Sequence, residues 1–325
     1  DRQAIIPAST VKIITTATAL QLLGPTYRTY TTVGYTGTID ETGNLHGNLV
    51  IRGGGDPSLA SAYGSRPADD FINQVVSSIK SHHIQSVEGG IVVDNSLFDG
   101  HAVSPKWMVE DIIWDYGTGC HAFSYKDNRI DIDLRYNGKE YNITGIQPAG
   151  RFLVETDLVK GEEEDITVGH NGNRYTVVGT IPKRKNRCRL SLSIDRPDAL
   201  FVQELTDRLR LSGINIGGEN LPGDSPVETT LLRYPSDSLA YWIRSLNIRS
   251  DNLYAESLLR HLALPFQKTG SAKDGIARIR QYWQPLGADS LELFLYDGSG
   301  LARNNKISAR YLARVLGKTA QNTSI

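Results

Sequence analysis

Hydrophobic positions change their period twice along the chain. The run after Ser9, STVKIITTATALQLLGP, carries Val11, Ile14, Leu20 and Leu23 with small residues between them, and it closes on Gly24-Pro25, a pair that stops helices. A first helix of about 14 residues is therefore predicted. From Tyr30 to about Ile194 the period shortens to two. In RIDIDLRYNG, for example, Ile130, Ile132, Leu134 and Tyr136 alternate with charged residues ahead of an Asn-Gly turn, so a strand-rich block is expected. Helical spacing returns in ALFVQELTDRLRLSG and dominates from Ser238 onward, through SLAYWIRSL, SDNLYAESLLRHLAL, KDGIARIRQYWQPLG and SARYLARVLG.

The order is helix, long β-rich block, then helices, without internal repeat or low-complexity tract. A chain of 325 residues exceeds the usual span of one core. Two organisations fit: a β-rich insertion into an α/β domain, or three consecutive domains. They differ in whether the first helix packs against the last ones.

Composition narrows the function. The 35 Lys and Arg balance 36 Asp and Glu with no long single-sign run, which argues against nucleic acid as a partner and against a polybasic membrane anchor. No apolar run reaches the ~18 residues of a membrane span, and DRQAII at the start does not read as a signal peptide. Two cysteines, Cys120 and Cys188, are too few for a disulfide scaffold and lack CxxC spacing. Cys188 shares the apolar side of CRLSLSI with Leu190, Leu192 and Ile194 and is expected to be a buried thiol, with pairing to Cys120 left open.

Candidate chemistry begins at IPASTVK. Ser9 and Lys12 are three residues apart, one helical turn, and so can come within hydrogen-bond reach. Serine is a weak nucleophile until a base takes its proton, and a lysine can serve once burial lowers its pKa. Ser-x-x-Lys is common by chance, but Lys12 is the only charged residue between Arg2 and Arg28, which marks it for a buried role. A second signal is Ser250-Asp251-Asn252. Alone it reads as a helix cap; with an earlier Ser-x-x-Lys it matches two of the three motifs of penicillin-binding proteins and class A β-lactamases. GGGDPS lacks the Gly-Lys-Ser/Thr ending of a phosphate loop and reads as a tight turn after a strand. The seven histidines show no metal-ligand spacing, and no GxSxG elbow occurs. Neither a metal nor another cofactor is expected.

Four stretches together, PASTVK, GNLVIRGGGDPSL at 47–59, SDNLYAE at 250–256 and DGSGLARNN at 297–305, resemble the class C low-molecular-mass penicillin-binding proteins, the D-alanyl-D-alanine carboxypeptidases/endopeptidases of the penicillin-binding protein 4 family. The 241-residue separation of Ser9 from Ser250 fits the large insertion of that family better than the compact β-lactamases. The resemblance implies an α/β (α+β) penicilloyl-serine transferase fold, like that of β-lactamases and transpeptidases. In it, 1–30 and 235–325 form the catalytic domain, and 31–234 a β-rich insertion of two subdomains. It also implies residues on both sides of this stretch: sheet strands ahead of Ser9, and a third Lys-Thr-Gly motif beyond Ile325. Lys268-Thr269-Gly270-Ser271 spells that motif only 16 residues after Asn252, in a segment without strand pattern, and reads as a loop decoy. GKTAQ at 317–321 lacks the glycine and follows a helix directly.

By the same resemblance Ser9 is the nucleophile and Lys12 the general base, although which group deprotonates the serine is disputed across these enzymes. Ser250 passes a proton to the leaving amine, and Asn252 orients Lys12 and the substrate amide. Ser299, Leu301 and Arg303 line the pocket for the stem-peptide side chain, with Trp107, Asp111 and Tyr116 opposite, and Glu110 as an alternative to Asp111. The implied partners are peptidoglycan stem peptides, and β-lactams as covalent inhibitors. The implied location is the periplasm or another extracytoplasmic part of the envelope. A serine β-lactamase or esterase on the same fold, or a non-catalytic peptidoglycan-binding homologue, is the alternative.

Overall fold

A computed structural model describes residues 1–149, 151–219, 221–223, 225–287 and 289–321. The chain gathers into two compact units: Asp1–Trp107 with Cys120–Asp127 and Pro197–Ile325, and Met108–Gly119 with Asn128–Arg196. The second unit is narrower than the 31–234 block outlined from the sequence.

The first unit is built around helix α1, Val11–Leu23. Its moderate hydrophobicity conceals how deeply it lies. Val11, Ile14, Ala17 and Ala19 are buried, and so are Thr15, Thr16 and Thr18, because each threonine hydroxyl finds an acceptor: Gly298 O at 2.8 Å, Lys12 O at 2.8 Å and Ile14 O at 2.6 Å respectively. Small residues let neighbouring helices approach from several sides, so this is a central helix and not an amphipathic surface one. Gly24, at φ 82° and ψ 157°, ends it with an N–H bond to Leu20 O, in a backbone region that glycine enters without steric cost.

Around α1 lie α4 (Leu239–Arg249), α5 (Asn252–His261), α6 (Ala272–Trp283) and α7 (Ala309–Gln321). Together they close one apolar core containing Trp242, Leu246, Leu258, Leu262, Ile279, Trp283, Tyr311 and Val315. The first helix therefore shares its core with the last four. The intervening helices are α2 (Asp70–Ser81) and α3 (Pro197–Leu211).

The same unit holds a five-stranded sheet in the order Leu221–Pro222, Ile91–Asp94, Leu49–Arg52, Tyr30–Tyr35, Thr229–Pro235. From its Leu49–Arg52 strand runs the GGGDPS turn. Gly55, at φ 73°, donates to Ala122 O at 2.7 Å, while its carbonyl accepts from Ser257 Oγ at 2.6 Å and hydrogen-bonds His261 Nε2 at 2.9 Å. This turn is a brace for α5. A short sheet, Ala4–Ile5 beside Lys306–Ser308 beside Leu293–Phe294, ties the start of the chain to the segment around DGSG.

In the second unit Arg129–Tyr136 pairs antiparallel with Tyr141–Gln147 and Arg187–Ser193. Ile130, Ile132 and Leu134 are buried as their alternation predicts, and Asn137 Oδ1 accepts the N–H groups of Lys139 and Glu140 in the turn. Leu153–Gly161 and Asp165–Asn171 flank Arg174–Pro182 in another sheet. Both thiols are free; Cys120 is buried, but Cys188 is only half-buried, since it sits toward the outer end of an edge strand opposite Leu134. Among the described residues no helix is long and apolar enough to cross a membrane.

Candidate active site

Ser9 stands in a single 3-10 turn, Ala8–Thr10, that leads directly into α1. Ala8 has a left-handed φ of 46°, a conformation disfavoured for residues with a Cβ and most often retained where the surrounding structure enforces it. The enforcement comes from DGSG: a Cβ on Gly300, itself at φ 87°, would lie 2.0 Å from Ala8 O, so this turn rests on the backbone just ahead of the serine. Ser9 is exposed, whereas Lys12 is 3% exposed.

Lys12 Nζ is 3.0 Å from Ser9 Oγ and donates to the carbonyl of Ser299 at 2.7 Å. Burial pushes its pKa down to about 8, against the upward pull of Glu256, then Asp297 and Asp251. A deprotonated amine one hydrogen bond from a solvent-facing hydroxyl can accept its proton.

Ser250 and Asn252 sit at the junction of α4 and α5. Ser250, exposed and left-handed at φ 57° and ψ 41°, ends α4; Asp251 caps α5, accepting from Tyr254 N at 3.1 Å; Asn252 opens α5, half-buried. Since α5 packs on α1, the two motif-bearing elements are neighbours despite their separation in sequence.

The DGSG turn is held from within by Asp297, which is fully buried. One carboxylate oxygen accepts from Gly300 N at 2.9 Å and Asn305 Nδ2 at 2.7 Å. The other accepts from Ala302 N at 2.6 Å and the indole of Trp107 at 2.8 Å. Trp107 is thus 8% exposed with its N–H committed to the turn. Ser299 is buried and contributes its backbone carbonyl; Leu301 is half-buried and Arg303 exposed. Asp111 and Tyr116 belong to the second unit, where the Tyr116 hydroxyl donates to Asp111 Oδ1 at 3.1 Å. Lys268 is exposed in the loop between α5 and α6, and Ser271 is spent on capping α6 through Asp274 N.

Glu256 is not among the residues expected at the site from sequence. It is 2% exposed, and Oε1 accepts from both Gly298 N and Ser299 N at 2.9 Å. Its signal was an acidic residue one turn after Asn252 on a helix face otherwise filled by Leu253, Ala255 and Leu259. Among the described residues no cluster of three or more His, Cys, Asp or Glu side chains is arranged to hold a metal ion.

A serine one turn from a buried lysine, on a helix packed against the one that Ser-Asp-Asn opens, is the arrangement an active-serine acyl transfer would need. The sequence model of the D-Ala-D-Ala carboxypeptidase 3 (S13) family matches residues 1–325, and the chain belongs to that family. It is 27% identical to the D-alanyl-D-alanine carboxypeptidase DacB of Haemophilus influenzae, over 98% of this chain and 67% of that one. It is 23% identical to a D-alanyl-D-alanine carboxypeptidase of Actinomadura sp., over 97% and 60%. The chain thus spans about three-fifths to two-thirds of the length of these relatives. The crystal structure of penicillin binding protein 4 (dacB) from Haemophilus influenzae superposes with a TM-score of 0.84 at 26% identity, covering 98% of this chain and 71% of that one. The same protein complexed with a novel β-lactam gives 0.76. The fold is the α/β penicilloyl-serine transferase type that the motifs imply.

Proposed function

We propose that this chain carries the acyl-enzyme machinery of a serine D-Ala-D-Ala carboxypeptidase or D,D-endopeptidase acting on peptidoglycan stem peptides in the extracytoplasmic envelope. The observation that carries the reading is the exposed Ser9 hydroxyl 3.0 Å from the amine of buried Lys12, in a chain matched throughout by the family. The parts assigned to the catalytic domain are 1–30 and 235–325, consistent with the core that α1 shares with α4 to α7.

In this reading Ser9 Oγ attacks the carbonyl between two D-alanines as its proton passes to Lys12 Nζ. The Ser9 N–H donates to the developing oxyanion. Collapse breaks the C–N bond, and the leaving amine takes its proton through Ser250, with Asn252 orienting the substrate amide. Water then hydrolyses the ester. A β-lactam acylates the same oxygen, but its cleaved amine stays tethered. Leu301 and Arg303, past the DGSG turn, are the proposed contacts for the stem-peptide side chain, and Arg303 suits a carboxylate. Ser299 supports that pocket from beneath. Trp107 does so through Asp297; Asp111 and Tyr116 are proposed as substrate contacts on the family resemblance alone.

The test is release of D-alanine from a stem pentapeptide by the full-length protein. Release that is abolished by Ser9→Ala supports the proposal. Acylation by penicillin without any peptide turnover would favour the non-catalytic or β-lactamase readings.

A further inference from the structure

The hydrogen bonds around Glu256 form a line that ends at the proposed nucleophile. Its carboxylate receives the consecutive N–H groups of Gly298 and Ser299. The carbonyls of the same two residues point the other way, Gly298 O to the hydroxyl of Thr15 at 2.8 Å and Ser299 O to Lys12 Nζ at 2.7 Å. The 298–299 backbone is thereby clamped between α5 and α1. Within the 298–299 peptide the N–H of Ser299 faces Glu256 and the carbonyl of Gly298 faces Thr15; the Ser299 carbonyl that meets Lys12 belongs to the next peptide, whose Gly300 N–H bonds Asp297. Asp297 holds the peptide that carries the Ser299 carbonyl from within the turn, and Glu256 ties the N–H groups of residues 298 and 299, immediately before that carbonyl, to α5.

We propose that Glu256 is a positioning residue for acylation: by holding the 298–299 peptides it aims the Ser299 carbonyl at Lys12 Nζ and keeps that amine on Ser9 Oγ. This rests on the assignment of Ser9 and Lys12 made above.

The alternative is that Glu256 merely neutralises Arg260, with which it forms an i, i+4 pair at 3.5 Å, each side chain 3% exposed. Two observations oppose it. Arg260 is already engaged by backbone carbonyls, Glu256 O at 3.1 Å and His101 O at 2.9 Å, and 3.5 Å is long for a charge-assisted bond. The shorter bonds of the carboxylate go to the turn. A buried carboxylate without a matching ammonium would be costly. Here the charged groups around Glu256 are Lys12 from α1, Arg260 from α5 and Asp297 from the turn, with the Cys120 thiol nearby, while Asp251 at the α5 cap acts on Lys12. Desolvation, then the Asp297 charge, raises the pKa of Glu256 to about 7, so it is mostly ionised above that pH. Its charge then helps hold the proton on Lys12.

Two substitutions separate aiming from charge. Glu256→Ala deletes both; Glu256→Gln keeps an oxygen that can accept from Gly298 and Ser299 but removes the charge. The second-order rate of labelling by a fluorescent penicillin is measured from pH 6 to 10 on the full-length proteins, with thermal unfolding in parallel. At pH 9 the Ala variant is expected to label at least about tenfold more slowly than wild type, with the Gln variant between them. In the Gln variant the midpoint of the rise with pH moves down by about half a unit or more, because a charge that favours the ammonium is gone. A folded Ala variant labelling as fast as wild type, or a Gln variant whose midpoint is unchanged or raised, overturns the proposal. If the Ala variant does not fold, the midpoint of the Gln variant decides. Failure of the underlying assignment would look different: Ser9→Ala would still be labelled.

Discussion

The pH dependence of acylation follows from the depth of Lys12. Only the neutral amine can take the Ser9 proton, and burial brings the pKa of Lys12 down to about 8 from an ordinary 10.5. About one-tenth of the molecules then hold a neutral Lys12 at pH 7 and about nine-tenths at pH 9, so the acylation rate should rise about tenfold over that range. An unperturbed lysine would give a continuing rise to beyond pH 10. The assay is the second-order rate of labelling by a fluorescent penicillin on the full-length protein, corrected for hydrolysis of the free β-lactam. Lys12→Ala should slow labelling by orders of magnitude and remove the rise. The same shift bears on stability. Between about pH 8 and 10.5 the unfolded chain binds more protons at this position than the folded one, so the contribution of Lys12 to stability increases with pH across that window. A labelling rate flat from pH 7 to 9, or a Lys12→Ala variant that retains the rise, would refute the reasoning.

Two further outcomes are expected. Lys268→Ala should leave acylation within about twofold of wild type, since the side chain is exposed in a loop; a loss like that of Lys12→Ala, read by the same labelling, would make this segment part of the site. Arg303→Ala should reduce kcat/KM for peptides bearing a free side-chain carboxylate by about 1.5–3 kcal/mol, the scale of a charge-assisted hydrogen bond. Penicillin acylation should be nearly unaffected, and equal losses for both substrates would remove Arg303 from the specificity pocket.

Elements with a regular period were legible in the sequence, and so was the approach of Lys12 to Ser9 across one helical turn. The alternation of Ile130, Ile132 and Leu134 gave both a strand and its buried face, and Gly24-Pro25 marked the end of α1. The isolation of Lys12 among uncharged residues correctly signalled its burial. What was not legible depends on tertiary partners. Glu256 and Arg260 are spaced like an exposed helix pair, and only the packing of α5 between the Gly55 turn and the DGSG turn makes them interior. Trp107, expected as a pocket wall, is drawn inward by Asp297, 190 residues away. Cys188 follows the apolar alternation, yet its edge position leaves it half-buried.

The most direct test of the central claim is the site of covalent attachment. The full-length protein, incubated with penicillin and digested, would be mapped by mass spectrometry. One penicilloyl adduct is expected, on the peptide containing IPASTVK, assigned to Ser9 and absent from Ser9→Ala. An adduct on any other residue, or labelling that survives Ser9→Ala, would contradict it.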